Sequence, residues 1–151
     1  MRVGPGDSFP VPPHFDRKNF AVGAVVSGLL VGLLGYGTIA YFQAITPGEE
    51  GVNLTGAMLA TVGCLLAVAL GAAFTARRAR RRASQPMPEG ISAGLVGFLL
   101  AIVGAGYGFF VVRDIPLLEI LSMLPLLLPG VGAAFAGAAL GSLHRNNGQT
   151  R

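Results

Sequence analysis

The sequence predicts an all-α integral membrane protein, a four-helix bundle. Three observations carry that reading. The chain is 52% hydrophobic and only 12% charged, half the ~25% charge of a soluble globular domain. Its apolar residues are gathered into four long runs. Those runs are apolar on every side, whereas strands of a membrane barrel alternate over ~10 residues. Disorder as the overall state is excluded, because it needs low hydrophobicity and high charge. A disulfide scaffold is excluded because Cys64 is the single cysteine. A length of 151 residues suits one compact unit.

A bilayer core of ~30 Å takes ~20 helical residues, and each run meets that length. Residues 1–19 hold Pro5, Pro10, Pro12 and Pro13 and too little apolar surface to pack, so a flexible cytoplasmic arm is expected there. The first span is 20–42, without a charge. It outruns the ~7–15 residues of a signal-peptide core, and Thr38-Ile39-Ala40 comes too late for a cleavage site, so an uncleaved helix is expected. Pro47, Gly48, Glu49 and Glu50 form a turn. The second span is 54–76. An arginine-rich loop from Ala76 to Gly90 follows, closing on Pro86-Met87-Pro88. The third span is 91–112, and the short Arg113–Pro116 connection makes the last two helices an antiparallel hairpin. The fourth span, 117–143, carries Glu119 and also Pro125 and Pro129, at which a kink is expected. Residues 144–151 form a cytoplasmic tail.

Charge sets the expected orientation. Ten of the eleven Lys and Arg residues lie before the first span, after the second or after the fourth; Arg113 is the exception. Basic residues near helix ends remain cytoplasmic, which puts both termini inside; arginine as ten of the eleven basic residues fits a high-GC bacterium, so the plasma (inner) membrane of such a cell is expected. Arg77, Arg78, Arg80, Arg81 and Arg82 read as an orientation signal in contact with lipid headgroups. Nucleic acid is not needed to explain them.

The first and third spans resemble each other. Gly35-Tyr36-Gly37 matches Gly106-Tyr107-Gly108 at a shift of 71 residues, which also aligns Gly23 with Gly94; Leu70-Gly71 matches Leu140-Gly141 at a shift of 70. Two tandem hairpins would repeat in parallel. Gly-Tyr-Gly is also the centre of a potassium filter, but a filter needs extended backbone with carbonyls facing a pore, and these triplets fall inside apolar runs. Helix packing is the better reading. Gly28 and Gly32, Gly104 and Gly108, and Gly137 and Gly141, with Ala133 a turn earlier, form small-residue rows at spacing four, which let helix backbones approach.

Glu119 is the one acid within a span. It reads as an interfacial or intramembrane charge with Arg113 as partner, the functional alternative being proton or cation transfer. His14 and His144 stand in opposite tails, so no metal site, haem ligand or other cofactor is expected. Cys64, Ser27 and Thr55 lack a neighbouring base, so the chain is not expected to be an enzyme.

An acidic turn followed by Gly51-Val52-Asn53-Leu54-Thr55-Gly56-Ala57-Met58-Leu59-Ala60 and a helix running to Arg77-Arg78, within two hairpins, resembles the small fourth subunit of actinobacterial cytochrome c oxidase. The likeness is one of organisation, over about Phe20 to Leu143, with a shorter basic loop here and without an aromatic-rich opening before the third span. It implies a cofactor-free accessory subunit. The sequence therefore leads to a non-catalytic accessory, assembly or scaffold subunit of a membrane complex, with membrane lipids and other integral subunits or further copies of itself as partners. The alternative is a small oligomeric channel or transporter.

Overall fold

A computed structural model describes residues 14–45, 54–113 and 127–143. Among these residues it is all-helical: α1 (Arg17–Ile45), α2 (Leu54–Arg81), α3 (Pro86–Arg113) and α4 (Leu127–Ser142). Helices α1 to α3 are long and apolar enough to cross a membrane. The described part of α4 is apolar but only 16 residues long. Residues 1–13 of the expected arm, the turn holding Glu49 and Glu50, residues 114–126 and the tail after Leu143 lie outside the described residues.

Two sequence expectations need correcting. The loop expected from Ala76 to Gly90 is mostly helix, since α2 runs on to Arg81 and α3 starts at Pro86. Arginine has a high helix propensity, and Arg78, Arg80 and Arg81 in the last turn complement the negative end of the helix dipole. Reversal then takes residues 82–85. Ser84 N–H reaches the Ala79 carbonyl at 3.0 Å and Ala83 N–H the Arg80 carbonyl at 3.2 Å, a Schellman closure with Ala83 at φ 52° where glycine is usual. The arm boundary also moves, because Arg17, Lys18 and Asn19 already belong to α1. Of the two prolines at which a kink is expected, Pro129 is the third described residue of α4. Pro125 lies outside the described residues.

The starts of α1 and α3 and the ends of α2 and α4 share one end of the bundle. Asp16 touches both Arg82 and Glu89 there, and Arg80 reaches the Leu143 carbonyl at 2.7 Å. Helices α2 and α3 form the centre, with α1 and α4 packed on either side. The core is built of small residues. Among the described residues, nine of the twelve buried hydrophobic ones are alanine, while Leu29, Leu33 and Leu128 are 69%, 71% and 80% exposed. Large side chains point out and small ones in.

Small side chains allow close crossings. A Cβ on Gly71 would stand 2.5 Å from the Ser27 Cβ, and one on Gly97 would stand 2.6 Å from the Ala24 carbonyl oxygen. In the first hairpin Ser27 therefore faces Gly71. The proposed repeat would put Phe98 opposite Gly141 in the second, but Phe98 packs on Gly130, about three turns away. The two hairpins do not share a register, so the sequence repeat is not repeated in the packing.

Candidate functional site

The shared basic end encloses a buried polar junction. Its centre is Glu89, fully buried in the first turn of α3. The local sequence explains its position. Gln85 caps the helix, Pro86 takes the first helical position, where its fixed φ suits and no N–H is required, and Glu89 folds back so that its Oε1 accepts the Gln85 N–H at 3.3 Å. The same oxygen accepts the N–H of Asp16 at 2.8 Å. Asp16 is itself the cap of α1: its Oδ1 accepts from the N–H groups of Lys18 at 2.9 Å and Asn19 at 3.2 Å. One carboxylate oxygen thus receives the capping-residue N–H of two helices. Each helix start carries roughly half a positive charge, which opposes the cost of withdrawing a carboxylate from water.

Asn19 completes the junction. Its Nδ2 donates to Glu89 Oε2 at 2.6 Å and to the Thr75 carbonyl at 3.2 Å, linking α1, α3 and α2. Both partners are acceptors, which fixes the amide orientation. Asn19 Oδ1 is buried without a partner among the described residues. Thr75 turns its hydroxyl to the Gly71 carbonyl at 2.8 Å. Outside, Arg82 donates to Asp16 Oδ2 at 2.8 Å, with side chains 42% and 18% exposed. That guanidinium, and next the Asn19 N–H, hold the Asp16 carboxyl below the ordinary carboxylate range.

Sequence reasoning missed Asp16, Asn19, Thr75 and Glu89 as members of a site. Two signals were present: a proline followed three residues later by an acid, which marks a helix start, and Asn19 immediately before an apolar run. Taking Ala76–Gly90 as loop conceals the first, and taking residues 1–19 as a flexible arm conceals the second.

The sequence-derived candidates are dispersed. Gly137 and Gly141 lie against the α2 backbone at Ala69 and Ala73; a Cβ on Gly137 would be 2.7 Å from the Ala69 Cα. Ala133 is half-buried against the core. Gly28 faces Gly97, whose carbonyl oxygen would be 3.1 Å from an added Cβ. Gly32 and Gly104 have nothing within 4 Å, so those two rows present only open space at one member. Gly108 and Arg113 are in α3, with their surroundings outside what is described. Glu119 also lies outside the described residues, and with it the expected pair with Arg113. Both Gly-Tyr-Gly triplets are helical. Among the described residues there is no group of three His, Cys, Asp or Glu side chains able to hold a metal. No family model, curated protein or solved structure matches the chain.

Proposed function

We propose that the chain is an integral membrane protein of a bacterial plasma membrane, and that it acts as a non-catalytic accessory, assembly or scaffold subunit of a larger membrane complex. The observation that carries the membrane reading is the inverted packing: alanine and glycine inside, leucine, valine and phenylalanine outside. In water such a surface would aggregate. In lipid it is at home, and close contact of small residues supplies helix association. The dimensions agree. Tyr36 and Tyr41 are exposed, about 28 and 36 Å along α1 from Arg17, where an aromatic belt would meet the second interface. The basic end is then cytoplasmic.

The scaffold reading is supported by the junction, whose polar groups bind one another and fasten helix ends together. The organisational likeness to the oxidase subunit makes a respiratory complex the first partner to test. A second reading, a small oligomeric transporter or channel, is favoured by one observation, the buried carboxylate of Glu89 at the meeting of three helices. Affinity purification from native membranes in mild detergent, followed by mass spectrometry, tests the choice. A stoichiometric integral-membrane partner supports the scaffold. Purified protein without a partner that passes protons or cations in liposomes, and stops doing so on Glu89→Gln, overturns it.

A further inference from the structure

The outward face of α2 ends in two cations of a particular kind. Leu59, Val62, Leu66, Leu70 and Phe74 form one exposed stripe along the helix. The same stripe continues into Arg77 and Arg81, both exposed. Of the segment's other arginines, Arg80 binds the Leu143 carbonyl, Arg82 pairs with Asp16, and Arg78 is only partly exposed. Arg77 and Arg81 have no partner among the described residues. Four apart on a helix, their Cβ atoms are about 5–6 Å from each other, a span that two guanidinium groups can close around one phosphate. From Arg77 back to Leu66 is about 16 Å, close to half of a ~30 Å hydrocarbon core.

We infer that this stripe is a binding site for one anionic phospholipid, with its phosphate held by Arg77 and Arg81 and an acyl chain lying along Phe74, Leu70 and Leu66. The inference rests on the membrane reading proposed above and deepens it. Charge complementarity selects the headgroup, and the apolar stripe selects a lipid over a free oxyanion. Arg17 and Lys18, exposed at the same end on α1, add to the field without sharing the stripe.

The test is native mass spectrometry of the full chain released from nanodiscs of phosphatidylcholine containing a minor fraction of phosphatidylglycerol. The reading is the ratio of bound phosphatidylglycerol to bound phosphatidylcholine. The double variant Arg77→Gln/Arg81→Gln is expected to lower that ratio roughly ten-fold or more, from the loss of the charge-assisted hydrogen bonds that the two guanidinium groups make to one phosphate. Arg17→Gln/Lys18→Gln removes equal charge and is expected to retain most of it. Equal loss in both variants would mean a diffuse field, and no loss in either would mean no site; each overturns the inference. So does inorganic phosphate that binds the lipid-free protein as well as the lipid does. Both pairs are exposed, and unchanged helical circular dichroism confirms that the variants fold. Alkaline carbonate extraction of wild-type membranes separates the two levels. Release of the chain would refute the membrane reading itself, whereas retention with a flat ratio would refute only the lipid site.

Discussion

Removing the Glu89 carboxylate should loosen three helices together. In Glu89→Ala the Asp16 N–H loses its 2.8 Å acceptor, the Gln85 N–H loses a 3.3 Å one, and Asn19 Nδ2 retains only the Thr75 carbonyl. A buried donor left unsatisfied costs about 1–3 kcal/mol. Counting the buried Asn19 donor in full and the two part-buried backbone donors in part gives a loss of about 3 kcal/mol. Glu89→Gln separates charge from shape. Its amide oxygen still serves the two backbone N–H groups, but its NH2 meets Asn19 Nδ2 donor to donor. Turning Asn19 over relieves that contact and sets Oδ1 against the Thr75 carbonyl instead. The expected cost is about 1.5 kcal/mol, one hydrogen bond to a charged group. Equilibrium unfolding in mild-detergent micelles titrated with sodium dodecyl sulfate, followed by circular dichroism, reads the order: wild type most stable, then Gln, then Ala. An alanine variant within about 0.5 kcal/mol of wild type, the usual range of an inconsequential surface change, would refute the junction as a structural tie. A glutamine variant worse than alanine would refute the hydrogen-bond reasoning.

Other outcomes follow from the same structure. Gly137→Ala and Gly141→Ala each drive a methyl into the α2 backbone and should cost about 1–3 kcal/mol in the same assay. Gly32→Ala and Gly104→Ala meet no atom within 4 Å and should be neutral or slightly stabilising through helix propensity. Ala83→Gly should stabilise by about 1 kcal/mol, because alanine at φ 52° is held in the left-handed region. The Asp16 carboxyl is held below its ordinary value of 3.8, so its contribution is present above that value and lost as the pH falls through the lower folded value. Unfolding midpoints measured from about pH 5 down, the start of that window, should show an acid-side fall that Arg82→Gln makes shallower.

The helical class, the four helices and the gathering of basic residues at one end were legible because each depends on composition along the chain. Helix boundaries were less so. The arginines between 77 and 81 look like loop when polarity is taken to mean irregular backbone, although nothing in arginine opposes a helix. The junction was hidden for a related reason: Glu89, Asn19 and Thr75 are each ordinary in their local sequence, and only the packing of three helices brings them together. The spaced glycines show the same limit. Gly137 and Gly32 look alike in sequence, yet one meets a neighbouring backbone and the other meets none, because the direction a helix face points is a tertiary property.

The central claim, a bundle that crosses the membrane with its arginine end in the cytoplasm, is tested most directly by labelling from each side. In a Cys64→Ala background, Glu49→Cys and Ala83→Cys are introduced singly and exposed to a membrane-impermeant thiol reagent in intact cells and in permeabilised cells. Position 83 lies in the exposed reversal after α2, at the basic end. Labelling of position 49 is expected in intact cells, and of position 83 only after permeabilisation. Labelling of position 83 in intact cells would contradict it.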